Sequence, residues 1–373
     1  MTSTVFSGNE WLRYTRHLQL PQVGVQGQSR LKQSHVVIIG AGGLGSPVAL
    51  YLAAAGVGTL TIVDGDQVEL SNLQRQILFT EKDIGTSKSK VAQQRLTDLN
   101  SAIVVQAIEH QFSRANADKL VAGADLVMDC TDNFATRYLI NDTCLRYKKP
   151  WVFASIYQFS GQCALFVPGQ NSACFRCLFP QAPADLPDCN SGGVIGVLPG
   201  LLGTLQAGEA IKYLVGIDTT LANTLLIVES LDLSISKIRL SKNPQCECNA
   251  TVKLTEQPVT DRADYKLACA SEVLNDIEMD AVSVRKAREQ AEVLLLDVRS
   301  ESERYGFHIG GLHIPLEQLQ NHCSNLPKHK KIICYCQTGS RSQKAALSLC
   351  EYGFDAKSVA GGLVRYLALA VND

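Results

Sequence analysis

The sequence has no excess of charge of one sign. Its 373 residues contain 35 Lys and Arg against 36 Asp and Glu, and no block of like charges forms a tail. Without a net field the chain is not expected to attract nucleic acid or a membrane surface, so its partners have to be recognised at local sites. Internal repeats and low-complexity tracts are also absent. The length and the 46% hydrophobic content fit two domains with cores.

The sequence also lacks an unbroken apolar run of the length that spans a membrane. Residues 36–63 carry no charged side chain, but six glycines and Pro47 interrupt them. This pattern is typical of a buried strand–turn–helix–strand unit in a parallel sheet. Residues 1–13 are polar and contain no apolar segment of a signal peptide. We therefore predict a cytoplasmic protein without membrane contact.

Cysteine, in contrast, is abundant, with 13 residues. A reducing cytosol keeps thiols free, so disulfide bridges are not expected. The spacing of the cysteines separates three groups: the C-x-x-C pair Cys174 and Cys177, the C-x-C pair Cys246 and Cys248, and Cys334 with Cys336 at the end of an apolar run.

Alternating strand-like and helical segments predict the α/β class. We predict a first domain over residues 1–248, a polar linker over 249–271 that contains Pro258, and a smaller α/β domain over 272–373. Strands are expected at 35–39, 59–64, 103–107, 126–129, within 151–167, near 225–239, and at 293–298, 331–335 and 356–359. Helices are expected at 10–17, 199–215 and 341–352.

The turn Gly40-Ala41-Gly42-Gly43-Leu44-Gly45 follows an apolar strand and leads into a helix. In that context, glycines allow a phosphate to approach backbone N–H groups at the helix N-terminus. Asp64 ends the next strand, where a carboxylate can accept hydrogen bonds from ribose hydroxyls. Taken alone, this pattern fits NAD and ATP equally, so an NAD-dependent oxidoreductase is one alternative.

The segment Ser71-Asn72-Leu73-Gln74-Arg75-Gln76 favours ATP. A redox cofactor needs no polar and cationic cluster just past the second strand. A triphosphate that is held, neutralised and split does need one.

The run DGDQVELSNLQRQ, with Lys88, Cys130-Thr131-Asp132-Asn133 and Arg13-Tyr14-Thr15-Arg16, resembles the MoeB/ThiF-type adenylating family, which is related to ubiquitin-activating enzymes. The resemblance covers residues 10–248 and implies a Rossmann-like, doubly wound domain that uses ATP and Mg²⁺. It also implies a homodimer in which Arg16 reaches the partner's triphosphate. The implied nucleotide site comprises Arg16, Gly40, Gly42, Gly43, Asp64, Asp66, Ser71, Asn72, Leu73, Gln74, Arg75, Lys88, Asp132 and Asn133.

The residue types suit these tasks. Arg75 and Lys88 would neutralise the phosphates as pyrophosphate leaves, Asn72 would fix a phosphate oxygen, and Asp132 would hold Mg²⁺. Taken singly, Asp132 could be a helix N-cap, Asn72 a turn residue, and Lys88 and Arg16 surface charges. Their joint occurrence in this order favours the nucleotide site.

The same resemblance implies a structural Cys₄ zinc site made of Cys174, Cys177, Cys246 and Cys248. Here the second pair has one intervening residue in place of two, so four reduced cysteines without metal are the alternative. Cys189, in the loop Asp188-Cys189-Asn190-Ser191-Gly192-Gly193, corresponds to a family loop cysteine that attacks or resolves the activated carrier. An incidental loop cysteine is the alternative reading.

Near the C-terminus, Cys336-Gln337-Thr338-Gly339-Ser340-Arg341 follows a predicted strand and opens a helix. Such a loop surrounds sulfur with backbone N–H groups and is expected to face an Arg, which stabilises anionic sulfur. With Asp297-Val298-Arg299 and residues 308–315, the motif resembles a rhodanese domain over 272–373. Related phosphatases have one more residue between Cys and Arg, and the shorter loop suits sulfur. Cys334 is expected to be a buried strand thiol.

Together, the resemblances imply an adenylyltransferase and sulfurtransferase. ATP would activate the C-terminal Gly-Gly carboxylate of a small ubiquitin-like sulfur-carrier protein, and a persulfide on Cys336, reloaded by a cysteine desulfurase, would give a thiocarboxylate. The predicted catalytic residues are Cys336, Cys189, Arg75, Lys88 and Arg341. A rhodanese domain that is only a docking module is an alternative. Molybdopterin, thiamine, tRNA thiolation and other sulfur pathways all fit the sequence.

Overall fold

The computed structural model describes residues 6–169, 172–180, 193–249, 277–337 and 339–368. Apart from Gly193, which is grouped with the second unit, the described residues up to 249 form one compact unit and those from 277 onward form another. Cys189 and nearly all of the predicted linker, 249–271, lie outside the described residues. The domain boundaries at 248, 249–271 and 272 therefore stay predictions.

The first unit is built on an eight-stranded sheet with the order β3-β2-β1-β4-β5-β6-β7-β8. The five strands β3, β2, β1, β4 and β5 run parallel, and β6, β7 and β8 pair antiparallel at one end of the sheet. The chain reverses its direction of winding between β1 and β4, which is where ligands bind in open α/β sheets. The strands are β1 His35–Ile39, β2 Thr59–Val63, β3 Val104–Ile108, β4 Leu126–Asp129, β5 Trp151–Tyr157, β6 Ser160–Phe166, β7 Thr224–Glu229 and β8 Ser234–Arg239.

Hydrophobic side chains of β1 enter cores on both faces of this sheet. Val36 and Ile38 pack into one apolar cluster, and Val37 and Ile39 pack into another. Because successive side chains of a strand point to opposite faces, a strand covered on both sides is continuously apolar. The doubly wound α/β prediction is confirmed.

Helices cover these faces, with short 3₁₀ turns at Leu70–Asn72, Glu81–Asp83 and Glu247–Asn249. The helix predicted at 10–17 is instead two helices separated at Tyr14, whose hydroxyl accepts a hydrogen bond from Asn100 Nδ2 at 2.9 Å. The Tyr14 side chain is buried, and the helix is interrupted at this residue. The helices are α1 Gly8–Arg13, α2 Thr15–Leu18, α3 Gly24–Gln33, α4 Gly45–Ala55, α5 Lys88–Leu99, α6 Arg114–Ala122, α7 Phe134–Tyr147, α8 Phe175–Leu178 and α9 Val197–Val215.

The second unit contains a five-stranded parallel sheet with the order β11-β10-β12-β13-β9. Its central strand alternates between two cores, with Ile332 and Cys334 on one face and Ile333 and Tyr335 on the other. The strands are β9 Glu278–Met279, β10 Val293–Asp297, β11 Leu312–His313, β12 Lys331–Tyr335 and β13 Ala356–Val359. The helices are α10 Ala281–Ala287, α11 Glu301–Gly306, α12 Leu319–His322, α13 Ser340–Glu351 and α14 Gly362–Ala368, with 3₁₀ turns at Leu316–Gln318 and Cys323–Asn325.

Neither unit contains, among its described residues, a helix long and apolar enough to cross a membrane.

Candidate nucleotide and sulfur sites

The glycine turn joins the end of β1 to the start of α4 through very close backbone contacts. Gly40 has a φ of +93°, and a Cβ there would lie 2.7 Å from the carbonyl oxygen of Cys130. A Cβ at Gly45 would lie 2.0 Å from the carbonyl oxygen of Gly40. Only glycine fits these contacts, which bring the ends of β1 and β4 together at the edge where the sheet reverses.

Asp64 fastens this turn to the end of β2. Its Oδ2 accepts the Ala41 N–H at 2.7 Å, and its Oδ1 accepts the Asp66 N–H at 2.8 Å. Burial raises the pKa of Asp64 above its ordinary value, although these hydrogen bonds oppose part of the increase. Asp64, the predicted ribose ligand, therefore also holds the glycine turn in place, a role that the sequence did not indicate.

Lys88 is a buried cation at the start of α5. Its Nζ lies 3.1 Å from Oδ2 of Asp66, whose Oδ1 accepts a hydrogen bond from Gln111 Nε2 at 2.8 Å. The Lys88 N–H also donates to the Asp66 carbonyl at 3.0 Å. A buried ammonium group is costly unless it is paired, so Lys88 is not a solvated surface charge.

The segment 71–76 reaches the glycine turn through Arg75. The Arg75 Nη1 donates to the Ser71 carbonyl at 3.0 Å, and a Cβ at Gly43 would lie 3.5 Å from Arg75 Cγ. Asn72 is buried, and its Oδ1 accepts the Glu69 N–H at 3.2 Å, so it does hold a turn. The segment thus lies beside the turn that would hold phosphate.

Gln76 is a residue to which the sequence interpretation gave no role. It is buried, and its Oε1 has no hydrogen-bond partner among the described residues. A Cβ at Gly42 would lie 3.7 Å from its Nε2. Since buried polar atoms are nearly always paired, this unpaired amide oxygen beside the glycine turn is a candidate contact for a ligand. Its place directly after Arg75 was the only sequence signal.

At the end of β4, a buried carboxylate supports the next loop. Asp129 accepts hydrogen bonds from the Thr131 N–H at 3.0 Å and the Thr131 hydroxyl at 2.7 Å, and Arg137 Nε lies 3.5 Å from its Oδ2. Burial raises the pKa of Asp129, and the charge of Arg137 opposes that increase.

The helix cap in this loop is Asn133, whose Oδ1 accepts the Thr136 N–H at 2.8 Å. Asp132 is therefore not the cap: it is exposed and makes no hydrogen bond to any other described residue. Arg16, on α2, is likewise exposed, with no ion pair to a described residue. These two side chains are free to meet a ligand or a second chain.

The four predicted metal-binding cysteines converge. The sulfur of Cys174 lies 3.7 Å from that of Cys177 and 3.6 Å from that of Cys246, and Cys177 lies 3.6 Å from Cys248. All four sulfurs lie within 4.8 Å of one another. Metal–sulfur bonds of ~2.3 Å in a tetrahedron require sulfur–sulfur separations of about 3.8 Å, and a disulfide would bring two sulfurs to about 2 Å. The cluster can therefore hold one tetrahedral metal ion, despite the shortened C-x-C spacing.

In the second unit, Cys336 directly follows β12 and is completely buried. Its Sγ accepts hydrogen bonds from the Gly339 N–H at 3.2 Å and the Ser342 N–H at 3.4 Å. Gly362 closes the back of the loop, because a Cβ there would lie 2.6 Å from the Cys336 carbonyl oxygen. The predicted strand–loop–helix arrangement around this cysteine is observed, and backbone donors point at its sulfur.

Arg341 interacts electrostatically with Cys336, and its terminal nitrogens are also held by a carboxylate from another element. Its Nη1 and Nη2 donate to the two carboxylate oxygens of Glu303 at 2.8 and 2.6 Å. The hydrogen bonds from Arg341 lower the pKa of Glu303 to about 2. The Ser300-x-x-Glu303 pattern is typical of a helix capping box. It does not predict that Glu303 also pairs with Arg341, which lies on another helix.

A buried ion pair contacts the loop that follows Cys336. Arg299 donates two hydrogen bonds to Asp297, of 2.9 and 2.8 Å, and its Nη1 lies 3.4 Å from Oε1 of the loop residue Gln337. Burial would raise the pKa of Asp297, but the hydrogen bonds and charge of Arg299 lower it below its usual range. Cys334 is completely buried, as predicted, and burial raises the pKa of its thiol.

The fold and the sites define a nucleotide-binding doubly wound domain followed by a sulfur-loop domain. Residues 14–250 match the ThiF family, and residues 280–369 match the rhodanese-like domain. The chain belongs to the ThiF family and carries a C-terminal rhodanese-like domain, as the sequence motifs predicted.

Relatives extend over both domains. The chain is 38% identical to the probable adenylyltransferase/sulfurtransferase MoeZ of Mycobacterium tuberculosis, over 98% of this chain and 94% of the relative. It is 39% identical to adenylyltransferase and sulfurtransferase MOCS3-2 of Zea mays, over 94% of this chain and 78% of the relative. A sulfur carrier protein adenylyltransferase of Thermus thermophilus is 48% identical over 63% of this chain and 89% of its own length.

Among solved structures, E. coli MccB with ATP is similar at a TM-score of 0.56 and 26% identity, covering 66% of this chain and 75% of that chain. This likeness supports the doubly wound fold and the family assignment.

The Glu303–Arg341 pair generates a pH-dependent prediction. Because the pKa of Glu303 is lower in the folded protein than the ordinary value of 4.5, its stabilisation is complete above about pH 4.5 and is lost as the pH falls toward 2. We expect Glu303→Gln to weaken α13 by about 1 kcal/mol at pH 6 and by less at pH 3. Hydrogen exchange of peptides from α13, compared with wild type at each pH, measures this difference.

Glu301→Gln is the matched control, since Glu301 is an exposed acid on α11, the helix that also carries Glu303. Equal protection of α13 in Glu303→Gln and wild type at pH 6 would contradict the pairing.

Proposed function

We propose that the protein adenylates the C-terminal Gly-Gly carboxylate of a small ubiquitin-like sulfur-carrier protein and then replaces AMP with sulfur to give a thiocarboxylate. The observation that carries the proposal is the sulfur of Cys336, which is held by backbone N–H donors on the same chain as a ThiF domain. The ThiF domain supplies an activated acyl group, and the rhodanese-like domain supplies the sulfur that displaces its leaving group.

In the first step the carrier carboxylate attacks the α-phosphorus of ATP, and pyrophosphate leaves. No protein nucleophile is needed, because the carboxylate is already anionic. The protein contributes alignment and neutralisation of the triphosphate charge. Arg75, beside the glycine turn, and Lys88, at the start of α5, neutralise the leaving phosphates, and Asn72 orients them.

Asp132 would hold Mg²⁺, for which an exposed carboxylate at the reversal of the sheet is a suitable ligand. When bound, that ion offsets phosphate charge. The lack of a hydrogen bond at Asp132 within the described part of the chain supports this assignment. Arg16, exposed on α2, reaches the triphosphate of the second subunit in a homodimer.

In the second step, the terminal sulfur of a Cys336 persulfide attacks the acyl-adenylate carbonyl, and AMP departs. The product is an acyl disulfide between the carrier and Cys336. A thiolate then attacks the Cys336 sulfur, which releases the carrier thiocarboxylate and leaves a disulfide for an external thiol to reduce. Cys189 or an external thiol provides the attacking thiolate, and a cysteine desulfurase reloads Cys336.

The names of relatives support a carrier protein as the substrate. One relative is named a sulfur carrier protein adenylyltransferase, and the chain is 45% identical to a SAMP-activating enzyme E1 of Haloferax volcanii over 63% of its length. The cytoplasm, where thiols stay reduced, is the compartment that this chemistry requires.

We further propose that Cys174, Cys177, Cys246 and Cys248 bind a structural Zn²⁺. Four thiolates in tetrahedral positions leave no open site for a substrate, as is typical of structural zinc. The ion would tie α8 to the 3₁₀ turn at Glu247–Asn249, which the chain separates by about 70 residues.

The adenylation step is tested with carrier-dependent ATP–pyrophosphate exchange. We expect Lys88→Ala to lower the exchange rate by about 100-fold or more, because a preorganised charge is lost from the leaving phosphates. Lys90→Ala is the matched control, since Lys90 is an exposed lysine on the same helix that pairs with Glu109. Tight NAD binding without any exchange for all candidate carriers would overturn the adenylation proposal.

The sulfur step is tested with Cys336→Ala in the full chain. We expect exchange to persist while thiocarboxylate formation is lost, because the acyl group is activated but no persulfide attacks it. Mass spectrometry of candidate carriers, incubated with ATP and a sulfur donor, detects the oxygen-to-sulfur gain. Undiminished thiocarboxylate would show that the rhodanese-like domain is a docking module.

The zinc proposal is tested by elemental analysis of the purified protein. Cys248→Ser is expected to reduce bound zinc from about one equivalent toward none and to lower the thermal stability of the first domain, because one thiolate of the tetrahedron is removed. Cys350→Ser, at an exposed cysteine of the second unit, is the control. Zinc-free wild-type protein with four alkylatable thiols would refute the assignment.

A further inference from the structure

Ser342 is not used in the mechanism above, yet its hydroxyl lies beside the reacting sulfur. The Oγ of Ser342 is 3.6 Å from the Sγ of Cys336, and the Ser342 N–H also points at that sulfur. Ser342 is completely buried in the first turn of α13. Among the described side chains, it is the one whose hydrogen bond reaches Cys336.

The charged residue of the loop does not take this position. Both terminal nitrogens of Arg341 are engaged by Glu303, so the carboxylate offsets the guanidinium charge. Within the described residues, the hydrogen bonds that reach the Cys336 sulfur come from two backbone N–H groups and from one neutral hydroxyl.

The Ser342 hydroxyl has one proton and a choice of acceptors. The carbonyl oxygen of Gly339 lies at 2.9 Å, and the buried Ser358 Oγ, on β13, lies at 2.8 Å. Because the Ser358 hydroxyl can itself donate to Ser342 Oγ, the Ser342 proton is available for either the Gly339 carbonyl or the sulfur. A neutral thiol leaves it on the carbonyl, whereas anionic sulfur attracts it, since charge-assisted hydrogen bonds are the stronger ones.

We propose that Ser342 is a catalytic residue of the sulfur-transfer reaction, whose hydroxyl rotates to donate to the anionic Sγ of Cys336. Ser358 is a positioning residue that holds the Ser342 oxygen through this rotation. The charge lies on Sγ when Cys336 accepts sulfur from the donor and again when its disulfide is reduced. The inference deepens the proposed function and relies on it only for the identity of that reaction.

Two charged or titratable groups lie around Cys336. Arg341, balanced by Glu303, and Cys334 of β12 interact electrostatically with it. Variants at Ser342 and Ser358 leave these groups in place, so a change in ionisation reports the hydroxyls.

The test is the rate of alkylation of Cys336 by iodoacetamide as a function of pH, in the full chain, followed by mass spectrometry of the Cys336 peptide. In Ser342→Ala we expect the pH of half-maximal rate to rise by about one unit, with the limiting rate at high pH unchanged. Sulfur loading of Cys336 at pH 7 should fall about 10-fold. Ser358→Ala should give a smaller rise, and Ser348→Ala, a serine change on the same helix, should give none.

An unchanged midpoint in Ser342→Ala would overturn the inference. A lower limiting rate without a shift of the midpoint would also overturn it, because a purely structural role alters access to the sulfur and not its charge. If Ser342→Ala does not fold, an unshifted midpoint in Ser358→Ala has the same consequence. A shifted midpoint in a protein that activates no carrier would sustain the role of Ser342 while refuting the proposed function.

Discussion

The hydrogen bond from the Ala41 N–H to the Asp64 carboxylate is the interaction on which the nucleotide edge depends. It fixes a turn without side chains to the end of the neighbouring strand, and Asp64 in turn holds the Asp66 N–H. Asp66 then pairs with Lys88 at the start of α5. One buried carboxylate therefore sets the positions of the glycine turn and of Lys88, the cation proposed to neutralise the triphosphate.

Both units balance their buried charges locally. Lys88 pairs with Asp66 and Arg137 with Asp129 in the first unit, and Arg299 pairs with Asp297 in the second. Charges removed from water need such partners, and pairing also fixes the direction of each side chain.

The second unit shows what local balance means for sulfur chemistry. The motif suggested that an arginine at the end of the loop would stabilise the anion. That arginine is paired with Glu303, and the hydrogen-bond donors at Cys336 within the described residues are two backbone N–H groups and one hydroxyl, all within 3.6 Å of the sulfur. This arrangement offers the sulfur neutral hydrogen-bond donors, which suits a group that passes sulfur on and does not retain a phosphate.

The sequence by itself determined the α/β class, the positions of the strands other than the two-residue edge strands β9 and β11, the glycine turn, the cysteine loop and the family. These features are local: alternation of apolar residues, glycines between a strand and a helix, and short motifs are written in neighbouring positions. Only the tertiary structure decided that Asp64 holds the turn, that Asn133 and not Asp132 caps its helix, and that Glu303 takes the Arg341 hydrogen bonds. It also brought Ser358 to Ser342 and closed the four cysteines to tetrahedral spacing. Apart from the Asn133 cap, each of these contacts joins residues from different structural elements. Patterns among neighbouring residues do not indicate which elements pack together, so the sequence alone could not predict them.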